Sequence, residues 1–411
     1  MRPIALAMLL TGCPASSPDD TAPTDSDTHG DESCDPGTWA GWDIPLDPQG
    51  SLPQIHPSVA WDGEALWAAW ARPEPDGSNF DIWAGRLSPD GDTLVQPFEL
   101  DDGGSHNDTY SRLAVAGERA VVTWQADRMT GADNLDVMLR GFARDGTGLD
   151  EAPTNAQPTV GGSPLTGNGW MPALAADPTG GFLLAGAWAA PGAQAFQAVA
   201  QGLDANGAPS GAGTLPALSA TDSQVNPAVA VAPGGLRLLA WETWPSHRDK
   251  LIQLSVDGGA PLSFGEGSDA GLPSLAVEGG GTVWLVWYEE QGGEYDLQVR
   301  AGDLVGAPAT AILGAGSRID TNPIVVAAEG GVLVAWARIL SGIQAELVVQ
   351  PLRLEGGAIV AGVEQVLDTD TAVVSAYLPG LTWLCDDVWF VAWVEGNSPD
   401  YVVKGRFVHA G

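Results

Sequence analysis

Seven times along this chain a short apolar run closes on tryptophan, at Trp70, Trp124, Trp188, Trp241, Trp287, Trp336 and Trp393. Gly331-Val-Leu-Val-Ala-Trp336 is the cleanest copy. Successive copies lie 46 to 64 residues apart. Each is preceded by a second run in which Pro or Ser is followed by Val or Leu and then Ala, as in Pro57-Ser-Val-Ala60, Pro172-Ala-Leu-Ala175 and Pro227-Ala-Val-Ala230. Units of roughly 50 residues built only from short strands and turns are the signature of propeller blades. The reading is an all-β chain forming a seven-bladed β-propeller of four-stranded antiparallel blades.

The unit parses into an inner strand, the tryptophan strand, a third strand that often opens on an acid (Asp81, Asp136, Asp296) and a short outer strand. Tryptophan strands such as Val388-Trp-Phe-Val-Ala-Trp393 are apolar without alternation. A strand covered on both faces reads that way, because neighbouring blades meet it from either side. Asp-Gly and Gly-Gly pairs at Asp90-Gly91, Asp145-Gly146, Asp257-Gly258 and Gly356-Gly357 supply hairpin turns after the third strand. The 54 glycines and 31 prolines serve the same need.

The chain carries 52 acidic against 17 basic residues, a formal charge of −35. Nucleic acid is excluded as a partner, since phosphates are bound by Lys and Arg displacing counterions. Direct docking on anionic lipid is disfavoured for the same reason.

At the N-terminus, one positive charge precedes a short apolar run, too short to cross a bilayer, so residues 1–12 read as a signal peptide. The run ends in Leu10-Thr11-Gly12-Cys13, which resembles the lipobox of bacterial lipoproteins. The resemblance implies cleavage before Cys13 and acylation of that residue. Residues 13–37 hold seven acids and no Lys or Arg, the composition of a disordered acidic tether. The propeller spans 38–411.

The seventh unit ends at the C-terminus without an outer strand, while residues 38–49 form a strand-like piece with no unit of their own. They are expected to complete the seventh blade and close the ring, which removes an open sheet edge. With Cys13 lipidated, Cys34 and Cys385 remain, and export permits a disulfide between them. The closing strand would bring them together.

Catalytic signatures are sparse. There is no Gly-x-Ser-x-Gly elbow, His-Glu-x-x-His pair or P-loop. Ser255-Val-Asp257-Gly-Gly259 resembles the first half of the sialidase Asp-box, a structural turn, but does not continue to its Trp. Sialidase chemistry would further need converging arginines and a Tyr–Glu pair, for which Tyr288 followed by Glu289 and Glu290 is only an adjacency in sequence. The repeated tryptophans are read as wedges between sheets.

A binding face is expected on the loops entering the inner strands and leaving the tryptophan strands. Its candidate residues are His56, His106, Asp108, Trp170, Trp244, Arg248, Asp320 and Asn322. Carboxylates and carbonyls in these loops are the ligands calcium accepts, and no other cofactor is implied. The functional expectation is a lipid-anchored, extracytoplasmic, monomeric binding or scaffold propeller of a bacterial outer membrane or cell surface, recognising an envelope protein or a glycan. The alternative is a carbohydrate-active enzyme, a sialidase-like glycoside hydrolase or a lyase, using carboxylates at the funnel. Fold alone does not choose between them.

Overall fold

A computed structural model describes residues 43–47 and 53–409 apart from short stretches between strands, among them 102–105, 129–134, 214–221, 246–249, 373–378 and 397–400. Cys13, Cys34 and Arg248 therefore lie outside the described residues. All described regular structure is β. The first unit is an antiparallel sheet of Ile55–Trp61, Leu66–Pro73, Phe80–Leu87 and Thr93–Glu99, paired in that order. Asn107–Ala116, Arg119–Asp127, Leu135–Ala143 and Thr154–Asn155 repeat the arrangement, as do Ser223–Val231, Arg237–Trp244, Leu251–Val256 and Leu262–Phe264.

The repeat is not uniform. Among the described residues the third unit pairs Gly169–Ala176, Phe182–Trp188 and Gln197–Leu203, with a single bridge from Leu203 to Pro209 beyond them, and the stretch 214–221 that follows lies outside the described residues. The last three units are joined edge to edge by single pairings, Tyr295 with Ile319 and Thr371 with Glu395, so they form one continuous 13-stranded sheet.

Packing follows the tryptophans. Trp70, Trp124, Trp241 and Trp336 are fully buried, and the other three are almost so. Trp124 packs with Ala69, Ala71 and Ile82 of the preceding sheet, and Trp336 sits with Trp284, Val286 and Val299. These rings are wedges between sheets, and truncating one would cost about 3–5 kcal/mol.

The inner strands share a second device. His56, Tyr110, Met171, Asn226, Leu272 and Asn322 each take a left-handed backbone, with φ of 50–56°. Each lies where its ladder to the next strand slips register. Five of the six precede Pro, which disfavours the right-handed helical region for the residue before it and has no N–H to give a ladder. The Pro of the inner-strand repeat is thus the mark of a bulge.

Ile44–Pro45 pairs antiparallel with Val402–His409, Ile44 opposite Gly405. Leu46 N–H donates to the Val403 carbonyl at 3.1 Å. Ile44 and Leu46 are buried with Phe390, Phe407 and Val403. Cys385 ends the strand Gly380–Cys385 and packs against the same cluster.

Candidate functional site

The inner strands surround a cavity of about 700 Å³. Five of the left-handed residues (Tyr110, Met171, Asn226, Leu272 and Asn322) line it, together with Trp170, Trp244 and Arg112. Because a bulge re-aims a side chain, the local backbone is what turns these groups inward. Two polar clusters adjoin the cavity.

The first spans the inner strands of the first two units. His56 stacks on Tyr110 with ring centroids 4.2 Å apart. Its Nδ1 accepts the Tyr110 backbone N–H at 3.2 Å. Burial, with Arg112 adding to it, lowers the His56 pKa to about 3, so the ring is neutral at physiological pH. Burial also raises the Tyr110 hydroxyl pKa, against the pull of Arg112. Arg112 donates to the Ser111 carbonyl at 2.9 Å and, among the described residues, forms no ion pair. In a chain of charge −35, a guanidinium lining a cavity without an ion-pair partner among the described residues has the chemistry to pair with an anion.

The second cluster spans the fourth and fifth units around Glu242, which is almost wholly buried. Asn226 Nδ2 donates to Glu242 Oε2 at 2.7 Å, and the Leu272 N–H reaches the same oxygen at 3.3 Å. The Trp244 indole N–H donates to Oε1. Lys250 Nζ lies 3.7 Å from Oε1, 3.3 Å from Asp269 Oδ1 and 3.4 Å from the Tyr288 hydroxyl. Tyr295 donates to Asp269 Oδ2 at 3.1 Å. Burial and Glu242 push the Tyr288 pKa up to about 12, against Lys250, so the phenol keeps its proton. Burial acts to lower the Lys250 pKa, but Tyr288, Glu242 and Asp269 outweigh it and hold it above the ordinary value. The geometry offers a fixed ammonium and a protonated phenol beside the Trp244 indole, whose ring centroid lies 5.4 Å from Lys250 Nζ.

The expected rim residues separate into distinct groups. His56 lies within its strand, buried behind Tyr110, rather than in the loop before it. His106 immediately precedes its strand and is half-buried. Trp170 lines the cavity 5.4 Å from Phe196, and Trp244 lines it above Glu242. Asn322 lines it as one of the bulge residues. Asp108 and Asp320 are buried and accept from the indoles of Trp124 and Trp336 at 2.7 and 2.6 Å. Sequence reading missed Arg112, Glu242 and Lys250. Arg112 and Glu242 sit inside strands that look like packing, and nothing in their spacing signals convergence. Tyr288 turns to Glu242 and Lys250, whereas the adjacent Glu289 accepts the Trp287 indole N–H at 3.0 Å.

No family model matches the chain, and no curated protein is similar to it in sequence. Solved structures are similar in fold. An ulvan lyase bound to -[GlcA(1-4)Rha3S]- matches with a TM-score of 0.56 at 11% identity, over 90% of this chain and 96% of that one. The polysaccharide lyase Uly1 matches with a TM-score of 0.54 at 10% identity, over 89% and 91%. A protein of unknown function from Dyadobacter fermentans matches with a TM-score of 0.55 at 13% identity, over 89% and 97%. At such identities the likeness is one of fold, and the fold is the β-propeller.

Proposed function

We propose that this chain is a carbohydrate-active propeller that takes an acidic polysaccharide across the mouth of its central cavity. The observation that carries the reading is Arg112, a cavity-lining cation with no carboxylate partner among the described residues, in a strongly acidic chain. Lys250, Tyr288, Trp170 and Trp244 supply the remaining parts. Indole faces stack on sugar rings, and the Arg112 guanidinium complements uronate or sulfate groups.

The reaction these groups serve best is β-elimination. A cation neutralises the uronate carboxylate, which acidifies the neighbouring C–H, and cavity water takes that proton. The C–H electron pair becomes the C=C bond, and the glycosidic C–O bond breaks as its oxygen takes a proton from the protonated phenol of Tyr110 or Tyr288. Hydrolysis would instead need two carboxyl groups flanking the bond. Glu242 is poorly suited to that role, since both its oxygens already accept hydrogen bonds from Asn226, Leu272 and Trp244. The neighbours named above favour this reading over a purely non-catalytic scaffold.

The ring is read as seven blades, with Ile44–Pro45 as the outer strand of the last one. Support comes from its pairing with Val402–His409 and from a cavity lined by the inner strand of every unit. Export, acylation of Cys13, the acidic tether and a Cys34–Cys385 disulfide are part of the same proposal. Cys385 is not a free thiol and packs beside the closing strand, which supports the pairing.

The test is incubation of the purified chain with uronate-containing, sulfated and neutral polysaccharides. Binding is read by affinity electrophoresis, and cleavage by reducing ends and the ultraviolet absorbance of unsaturated uronyl ends. Retarded migration and unsaturated ends with acidic polymers only are expected. Arg112→Met should abolish both. Absence of binding to every acidic polymer sinks the reading, and reducing ends without unsaturation replace elimination by hydrolysis.

A further inference from the structure

Asp81 opens the third strand of the first unit, Glu99 closes its outer strand, and Asp101 follows in the connection to the second unit. One carboxylate oxygen from each lies within 4.8 Å of the others. Three carboxylates so close repel one another, and an acidic cluster alone is commonplace. A fourth group distinguishes this one. Asp108, on the inner strand of the second unit, is 2% exposed and lies near enough to Asp101 and Asp81 for the charges to repel. Its Oδ2 accepts the Trp124 indole N–H at 2.7 Å, which fixes the rotamer. Its Oδ1 is buried and accepts no hydrogen bond. A buried, unsatisfied carboxylate oxygen is costly, and a cation is the partner that satisfies it.

We infer that Asp81, Glu99, Asp101 and Asp108 form a calcium site that ties the first sheet to the second. The donor set is all oxygen and mainly carboxylate, as a hard cation requires. The Asp81, Glu99 and Asp101 oxygens lie within 4.8 Å of one another, no more than twice the calcium–oxygen distance of about 2.4 Å, with Asp108 as the fourth, buried acid beside them, whereas magnesium demands a tighter octahedron. The positive charge acting on the cluster, Arg72, pairs with Asp47 at 3.0 Å and stacks 3.4 Å over Trp83, and a single charge does not balance four acids. The site belongs to the wall between two sheets and does not depend on the glycan reading.

Chelator-treated full chain is titrated with Tb³⁺ under tryptophan excitation, with Trp124 as the nearby sensitiser, and Ca²⁺ is then used to displace it. Thermal unfolding is followed in parallel against free Ca²⁺ and free Mg²⁺. Saturable Tb³⁺ emission displaced by Ca²⁺, and a Tm that climbs with Ca²⁺, are expected. Asp108→Asn keeps an acceptor for Trp124, and it and the double change Glu99→Gln/Asp101→Asn should each lose the emission and the climb. These changes also relieve repulsion, so they should fold. Asp145→Asn, an exposed acid at a hairpin turn, should behave as wild type. A Tm indifferent to Ca²⁺ up to about 10 mM, beyond the weak extracellular range, overturns the site. So does a response to Mg²⁺ equal to that to Ca²⁺, or emission that survives in both variants, which would mark non-specific surface binding.

Discussion

The indole N–H of Trp336 donates to Asp320 Oδ1 at 2.6 Å, and Arg338 Nε reaches the same oxygen at 2.9 Å. Arg338 in turn holds Glu364 through both of its terminal nitrogens, at 2.6 and 2.8 Å. A buried carboxylate therefore orients one wedge tryptophan and one arginine. Asp320→Ala should cost about 3 kcal/mol, because it leaves the indole and part of the guanidinium without an acceptor. Asp320→Asn should cost less than about 1 kcal/mol. Burial raises the Asp320 pKa to about 6 even against Arg338 and Trp336, so the charge itself is disfavoured there and an amide keeps the acceptor. Denaturant midpoints decide it, and equal losses for the two changes would contradict the anchoring role.

His56 predicts an acid-sensitive fold. Its pKa is about 3 when folded and 6.5 when exposed, so between those values the unfolded chain binds the extra proton. Stability should fall as the pH drops below about 6.5, by up to about 1.4 kcal/mol per pH unit from this group. Burial is the main cause, and Arg112 adds to it. Subtracting the unfolding free energy of His56→Gln from that of wild type across pH 3.5 to 7.5 isolates the contribution. A difference independent of pH would show that His56 charges freely in the folded chain.

Leu272 holds φ of 50° with a side chain that has no way to compensate. A left-handed residue with a β-carbon costs about 1–2 kcal/mol, and Asn tolerates the conformation better. Leu272→Asn should accordingly raise stability by roughly 0.5–1 kcal/mol, while Leu272→Ala, which keeps the strain, should not. Thermal unfolding of the two variants separates the cases. A gain with Ala as large as with Asn would assign the cost to the leucyl side chain and not to the backbone.

The architecture was legible because it is periodic and local. A tryptophan strand carries its own apolar pattern, and the Pro of the inner strand marks the bulge next to it, although its left-handed geometry went unread. The site was legible only in outline. Trp170, Trp244 and Asn322 do line the cavity, since their places follow from the repeat. Asp108 and Asp320 looked like loop acids, but in both cases a tryptophan 16 residues further on captures the carboxylate. Lys250 meets Tyr288 from 38 residues away, and Asp81 meets Glu99 from 18. Those pairs depend on how strand ends converge, which residue type and spacing do not encode.

Leu46 tests how the two chain ends hold one another. It is 1% exposed, and it packs with Ile44 against Phe390 and Phe407 from the far end of the sequence. Opposite Ile44, Gly405 leaves room for Phe390, whose ring atom would lie 2.1 Å from any added β-carbon. Leu46→Ala should therefore cost about 3 kcal/mol, the range for a buried leucine, and should increase proteolysis near the N-terminal strand. Leu94, half exposed on the outer strand of the first unit, is the control, and its change to Ala should stay within about 0.5 kcal/mol. If Leu46→Ala is as mild as Leu94→Ala, the N-terminal strand merely rests on the sheet. A large loss would mean that the fold depends on joining residue 46 to a strand more than 350 positions away, a non-local pairing of the kind that slows folding.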